Sequence, residues 1–162
     1  MKKRFLPLIF FLFAVFLASG CAPKAALRTT PAVLTIKSSA LRFSETAFIR
    51  EYEGEYGVQV YSAGRKIHDL RIEADRICLD GNCLDPEAFN RRFLSPAYPE
   101  GLVWAFFRGG ELPLEGALPS ATAGVQKFHK PGRYDALYQN RPGDRLFRDR
   151  LNGIVLRIKE LE

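Results

Sequence analysis

Hydrophobic and polar residues alternate along several stretches of the chain, which is the pattern of half-buried β-strands. Tyr56, Val58 and Val60 fall on one side of the first clear run, and polar or small residues separate them. Strand-like patterning begins at Val33, and the alternation recurs at residues 47–52, 68–74, 134–139, 144–148 and 154–160. These runs predict two groups of antiparallel strands, one in each half of the chain.

The segment between the two strand groups carries the signals of a helix. Asp85-Pro86-Glu87 supplies a capping residue, a proline suited to the first helical position and an acid in the first turn. Phe89 and Phe93 are four residues apart, so they share one face. The sequence therefore predicts a short helix that ends at Ser95-Pro96.

A second helix is predicted from Pro99 to Arg108, with Gly109-Gly110 as its stop. Nearly every side chain in it is apolar, so we expect it to be buried against a large surface. Strands, two helices and strands in this order indicate an α+β fold. Its most economical form is a curved antiparallel sheet, a half-barrel, whose concave face is covered by the two short helices. Residues 33–162 would form this single domain.

Two cysteines flank the clearest turn signal in the sequence. Asp80-Gly81 is a favoured centre of a two-residue hairpin, in which Leu79 faces Asn82 and Cys78 faces Cys83. The cysteine pair then occupies the closer, non-hydrogen-bonded position, which is within reach of a disulfide. A metal site or a redox dithiol would be the other interpretations. No further Cys or His lies nearby and the spacing is not C-x-x-C, so a structural disulfide is favoured.

The N-terminus has the pattern of a secretory signal, which we assign to residues 1–20. Positive charge at Met1–Arg4 precedes an apolar run from Phe5 to Leu17 and then small residues. The run has about thirteen residues, short of the roughly 20 that span a bilayer. The cysteine that follows predicts a lipoprotein, cleaved before Cys21 and carrying a covalent diacylglycerol and acyl lipid on that residue. An uncleaved anchor or plain secretion would be the other interpretations.

The residues after Cys21 indicate which membrane holds the lipid anchor. In the Gram-negative sorting rule an Asp directly after the lipidated cysteine retains the protein in the inner membrane, and this chain has Ala22 instead. We therefore expect a lipid-anchored protein on the periplasmic side of the outer membrane. Residues 21–32 contain mostly small residues and prolines, which predicts a flexible tether.

Charge and motifs exclude several classes of function. The formal net charge of the chain is +6, and removal of Lys2, Lys3 and Arg4 with the signal would leave +3. No polybasic run of five residues remains, which argues against nucleic-acid binding. The sequence has no P-loop, no dinucleotide-binding glycine pattern and no metal-ligand spacing. His68 and His129 lie in different segments, so we predict no catalytic residues, no metal, no cofactor besides the lipid, and no enzymatic activity.

Several of these features together resemble the LolB family. They are the lipobox with its small-residue tether, the strands of a curved sheet, a helix that bears Trp104 and ends at Gly109-Gly110, and a closing amphipathic strand from Ile154 to Leu161. Small epsilonproteobacterial lipoproteins of unknown function are also similar, especially across Val58–Leu94. LolB is the outer-membrane receptor of the lipoprotein localisation pathway. Its half-barrel, of the LolA/LolB type, takes up the acyl chains of an incoming lipoprotein.

The resemblance implies that this chain is a monomer that binds acyl chains, with lipoprotein clients or a periplasmic carrier as partners. Ten apolar residues would line the acyl-chain cavity: Val58, Val60, Leu70, Ile72, Phe89, Phe93, Leu102, Trp104, Phe106 and Phe107. The same residues would equally suit a filled core, in which case the protein is a structural or assembly lipoprotein that binds another envelope protein. The LolB family also carries a protruding Leu in a strand-connecting loop that helps insertion into the membrane. The matching loop, residues 62–65, has no large apolar residue here.

Overall fold

The computed structural model describes residues 24–120 and 122–162 of the 162-residue chain. The predicted signal and the acylation site at Cys21 lie outside the described residues. The first half contains β1 (Arg28–Lys37), β2 (Arg42–Tyr52), β3 (Glu55–Ser62), β4 (Arg65–Ile72), β5 (Ile77–Leu79) and β6 (Asn82–Leu84). Two helices follow, α1 (Pro86–Phe93) and α2 (Leu102–Arg108). The second half contains β7 (Ala117–Leu118), β8 (Val125–Lys130), β9 (Tyr134–Arg141), β10 (Asp144–Asp149) and β11 (Ile154–Glu160).

These eleven strands form one open antiparallel sheet with β6 and β7 at its two edges. Strands β1 to β6 pair in chain order, and so do β7 to β11. The two halves are joined because β1 pairs with β11, from Ala32 opposite Glu160 to Lys37 opposite Val155. Strand β1 is therefore the middle of the sheet. The predicted single antiparallel sheet with two short helices is confirmed.

The sheet is curved around one apolar face. In a flat sheet β3 and β9 would lie about 24 Å apart, because neighbouring strands are spaced by about 4.8 Å. Helix α2, only about 10–12 Å across, nevertheless contacts both strands. The ring of Phe107 lies 6.1 Å from that of Tyr56 on β3, and the ring of Phe106 lies 6.4 Å from that of Tyr138 on β9. The strands on either side of β1 therefore bend toward the same helix.

Strand β1 begins at Arg28, five residues before the strand pattern starts at Val33. Residues 28–32, expected in the tether, pair with β2, and the preceding Leu27 N–H donates to Glu51 O at 2.8 Å. The pattern did not predict this because these residues are short or polar, whereas backbone pairing needs no hydrophobic side chain. Pro31 lacks an N–H, but its carbonyl accepts a hydrogen bond from Leu161 N–H at 2.9 Å.

The helices and connecting segments differ from the prediction at two places. Helix α2 begins at Leu102 rather than Pro99, because a turn closed by Leu102 N–H to Pro99 O at 3.2 Å precedes it. The helix ends as predicted, and Gly109 has a φ of 71°. The segment 111–123, expected to be irregular, contains the two-residue strand β7, which pairs with β8.

The cysteine hairpin has the predicted form. Cys78 and Cys83 are opposite each other on β5 and β6 and are joined by a disulfide, with Cα atoms 3.9 Å apart. Asp80 and Gly81 have φ values of 52° and 83°, which is the positive pair that a type I′ turn requires. A metal site and a redox dithiol at this position are therefore not needed to explain the two cysteines.

Ala63, in the turn between β3 and β4, is expected to cost stability. It has a φ of 48°, a left-handed conformation in which its Cβ crowds the backbone. Ala63→Asn should therefore raise the free energy of unfolding by about 1 kcal/mol, since Asn tolerates this conformation. Urea denaturation measures the change. Ala40→Asn, in the exposed loop after β1 and at a negative φ, is the control and should leave stability within about 0.5 kcal/mol.

Candidate functional site: the concave face and its helical cover

The concave face of the sheet is covered by one continuous segment, which we call the helical cover. It consists of α1, α2 and their linker, residues 86–108. The cover leaves the sheet after β6 and returns to it at β7, and these are the two edge strands. No strand pair of the sheet includes a residue of the cover, so the sheet's backbone ladder is complete without it.

Local chemistry fixes helix α1. Asp85 accepts a hydrogen bond from Ala88 N–H through Oδ1 at 2.7 Å, and Pro86 occupies the first helical position, as the sequence predicts. Glu87 pairs with Arg91 one turn later at 3.0 Å. The buried amide of Asn90 donates to Pro99 O at 2.9 Å, which ties α1 to the linker.

The ten residues proposed as an acyl-chain cavity come together on the concave side. Eight are buried in a single apolar cluster with the inward residues of the sheet, and Phe93 and Trp104 pack against that cluster while partly exposed. Val58, Val60 and Phe106 have no exposed surface at all. In the conformation described, these side chains fill the space between the sheet and the cover.

The inward face of β10 holds α2 in place through Arg145. Its guanidinium Nη1 donates to Phe106 O at 2.8 Å and to Phe107 O at 2.7 Å, two carbonyls in the last turn of the helix. Phe106 O also accepts from the N–H of Gly109 at 3.2 Å. The positive charge of Arg145 is also favourable here, because it lies at the C-terminal end of α2, where the helix dipole is negative. Gly109 follows directly, and a Cβ there would collide with the guanidinium of Arg145. Asn140 on β9 completes the contact by donating to Gly109 O at 2.7 Å.

Strand β10 also holds the linker of the cover, through Asp149, which is only 1% exposed. Tyr98 Oη donates to its Oδ2 at 2.6 Å, and the amide of Asn152 donates to the same oxygen at 2.6 Å. The N–H groups of Asp135 and Leu151 donate to Oδ1 at 3.0 and 2.9 Å. The N–H of Asn152 also donates to Oδ1, at 3.4 Å, so five donors compensate the burial of this charge. Burial and the hydrogen bond to Asp149 raise the pKa of Tyr98, so its hydroxyl remains protonated.

These two polar anchors were not predicted from the sequence, although a signal for them exists. Arg145 and Asp149 are at alternate positions with Phe147, which is fully buried on the inward face of β10. A charged residue in register with a buried aromatic residue must meet a partner on the inside. The pattern identifies the two residues, but only the fold shows that both partners belong to the cover.

A small polar cavity of about 140 Å³ opens at the end of α2, and we call it the mouth. Its wall includes Tyr56, whose hydroxyl donates to Glu51 Oε1 at 3.3 Å, and the ring of Phe107. Burial, and then the charge of Glu51, raise the pKa of Tyr56. The charged residues that line the mouth are Arg28, Glu51, Arg108, Arg141, Asp144, Arg145 and Glu160. Phe107 is the member of the proposed acyl-chain set that reaches this opening.

The two histidines do not meet in the fold. His68 on β4 lies with Nδ1 2.8 Å from Asp80 Oδ2, and its ring lies 5.2 Å from that of Phe43. His129 is on β8, in the other half of the sheet, 3.9 Å from Asp135. Across residues 24–120 and 122–162 there is no group of His, Cys, Asp and Glu side chains arranged to hold a metal ion. Within the same ranges, none of the helices has the length and apolar character needed to cross a bilayer.

Comparison with known proteins gives no family assignment. No protein-family model matches the chain, and no curated protein matches it.

The Tyr98–Asp149 contact leads to a prediction about stability and pH. Tyr98→Phe should lower the free energy of unfolding at neutral pH by about 1–3 kcal/mol, because the buried carboxylate loses a donor. The pKa of Tyr98 is raised in the fold, so its contribution is complete below the unfolded value of about 10 and is lost as pH rises above it. Urea titrations from neutral to alkaline pH should show a shallower decline for Tyr98→Phe than for the parent.

Tyr52→Phe serves as the control for this comparison, because Tyr52 lies half-buried near the end of β2, away from the linker. It should retain the alkaline decline of the parent. An unchanged decline in Tyr98→Phe would contradict the proposed contribution of the Tyr98 hydroxyl.

Proposed function

We propose that this protein is an outer-membrane lipoprotein, acylated on Cys21, whose LolB-like half-barrel takes up acyl chains of a lipoprotein client between the sheet and the helical cover. The observation that carries the proposal is the relation between cover and sheet. A continuous apolar concave face is closed by one segment of two short helices, and that segment is attached at the two sheet edges.

The cover can move without dismantling the sheet, because it takes part in none of the strand pairs. Its described polar attachments to β10 are the contacts of Arg145 with α2 and of Asp149 with Tyr98. An acyl chain that replaced the cover would bury its methylenes against the same apolar face, at about 0.8 kcal/mol each. Such an exchange would offset the loss of apolar contacts with α1 and α2.

The mouth suits the entry of a client in this proposal. Its 140 Å³ is enough for a small apolar group but not for a whole acyl chain, so uptake needs displacement of the cover. Arg108 and Arg141 at its rim would meet an anionic headgroup or a carboxylate of the client, whereas Arg28 pairs with Glu160 at 3.4 Å. We propose no catalytic step, and the partners are a lipoprotein client or a periplasmic carrier.

A second candidate function is an assembly lipoprotein that binds another envelope protein and has a solid core. The observation that favours it is the filling of the concave side, where Val58, Leu102 and Phe106 have no exposed surface. The two candidates share the anchor and differ in whether the cover opens.

The anchor is tested by mass analysis of the chain purified from membranes. We expect the mature chain to begin at Cys21 and to carry the mass of a diacylglycerol and an acyl group. Cys21→Ser should remain uncleaved and without lipid, because the sulfur that would accept the diacylglycerol is absent. The double variant Cys78→Ser/Cys83→Ser removes the disulfide only and should be processed like the parent. A parent chain without lipid would exclude the anchor.

Opening of the cover is tested with Arg145→Met, which keeps the aliphatic part of the side chain and removes its hydrogen bonds to Phe106 O and Phe107 O. We expect unfolding free energy to fall by about 2–4 kcal/mol. We also expect tighter, saturable binding of a fluorescent fatty acid, because closing the cover becomes less favourable.

Arg148→Met is the matched control, since Arg148 is on the same strand but faces outward. It should change neither stability nor fatty-acid binding appreciably. Loss of stability in Arg145→Met without saturable fatty-acid binding in either protein would favour the assembly function over acyl-chain uptake.

A further inference from the structure

The outward face of the three central strands has an unusual charge distribution. We call this surface the convex crown. It consists of the outward residues of β1, β2 and β11, as the strand registers define them. They are Thr29, Pro31, Val33, Thr35 and Lys37 on β1; Arg42, Ser44, Thr46, Phe48, Arg50 and Tyr52 on β2; and Val155, Arg157 and Lys159 on β11. Five of these residues are Lys or Arg and none is Asp or Glu, so the crown is positive throughout.

The carboxylates of these strands are on the other side of the sheet. Glu45, Glu51 and Glu160 alternate with the crown residues and face inward. The ion pair recorded on the crown joins Arg157 to Asp144 of the neighbouring β10, at 2.7 Å. Within the described residues, the exposed side chains of Lys37, Arg42 and Lys159 form no ion pair, although Lys159 lies opposite Asp144 in the register of β10 and β11. The charges of Lys37 and Arg42 are therefore the most available to a partner.

Apolar side chains are exposed on the same face, six positions along β1 and β2 from Lys37 and Arg42 and beside Lys159. Phe48 is 39% exposed at the centre of β2, where it lies opposite Pro31. On the other side of Pro31, Leu161 is 42% exposed, and Leu27 is 72% exposed where the chain enters β1. Phe48 also packs edge-on against Tyr61 at 5.7 Å. Cations and exposed aromatic and aliphatic side chains on one face are the combination that binds at the interface of an anionic bilayer.

The shape of the sheet brings this surface to a membrane. Strand β1 is the sixth of eleven strands, so the crown is the middle of the convex side, the part that a plane would touch first. Arg28 is seven positions after Cys21, a stretch of chain that spans at most about 25 Å. With the anchor of the proposed function in place, the crown is therefore within reach of the bilayer surface.

From this juxtaposition we infer that the convex crown lies against the anionic lipid surface of the membrane, with the helical cover and the mouth directed away from it. Lys37, Arg42 and Lys159 contact the headgroups, and Phe48 and Leu161 enter the interface. The distance from the crown to the bilayer rests on the anchor of the proposed function, whereas the charge and the exposed apolar residues of the crown do not depend on it.

The orientation is measured by tryptophan quenching, because Trp104 is the chain's only tryptophan and belongs to α2. The full chain is reconstituted in vesicles made of equal parts of phosphatidylglycerol and phosphatidylcholine brominated on its acyl chains. We expect Trp104 in the parent to escape quenching. In the double variant Phe48→Trp/Trp104→Phe, the introduced tryptophan should be quenched, and high salt should reduce the effect by screening.

Charge dependence is measured in the same double variant. Lys37→Gln, Arg42→Gln and Lys159→Gln together should lower the ratio of membrane-bound to free crown on the order of a hundredfold, at roughly fivefold for each cation near the surface. The matched control is Arg65→Gln, Arg92→Gln and Lys127→Gln, which changes the net charge equally at exposed positions outside the crown. The control should retain quenching.

Two outcomes would overturn the inference. Quenching of Trp104 but not of the tryptophan from Phe48→Trp would mean that the concave side faces the bilayer. Absence of quenching in both proteins would mean that the crown does not contact the bilayer, and would favour an acidic protein surface as its partner. Mass analysis of the same sample reports acylation separately. If the lipid is absent, the same quenching experiment on the unacylated full chain still decides whether the crown binds the vesicles.

Discussion

Covering the apolar concave face is the constraint on which the rest of the structure depends. In the part of the chain that the structure describes, eleven strands present buried residues on one side, and two short helices shield them. Curvature reduces the area that must be covered, so that α2 contacts β3 and β9 together. The pairing of β1 with β11 makes this possible, because it joins two separate meanders into one sheet that can bend around a single core.

The cover is held by charge as well as by apolar contact. Strand β10 presents Arg145, Phe147 and Asp149 inward, and each contacts the cover. Removing one partner of a buried polar contact costs more than the contact itself contributes, because the other partner remains buried and unpaired. The closed arrangement is therefore specific. It is also local, since the attachments of β10, the hydrogen bond from Arg133 to Ala97 O and the apolar contacts of the two helices hold the segment, and no strand pair includes it.

The two faces of the sheet separate two tasks in the proposed function. Inward residues and the cover provide an apolar site that closes against water, and the mouth gives it a polar entrance. Outward residues of the central strands provide cations and exposed aromatic surface for a membrane. The alternation of a β-strand makes this separation possible, because successive side chains point to opposite faces. Glu51 and Arg50, adjacent in sequence, thus belong to different surfaces.

Local sequence signals determined most of the individual elements. Alternation located β3, β4, β9, β10 and β11 but missed β7 and β8. Asp85-Pro86 set the start of α1, Gly109 set the end of α2, and Asp80-Gly81 brought Cys78 and Cys83 together, because each depends on neighbours along the chain. The start of β1 at Arg28 was missed, since backbone pairing with β2 rather than a hydrophobic pattern holds that segment. Only the tertiary structure placed β1 next to β11, brought Arg145 and Asp149 to the helical cover and gathered the cations of the convex crown. Those arrangements depend on which distant strands become neighbours. Strands pair through backbone hydrogen bonds, so the pattern of side chains along one strand does not reveal its partner.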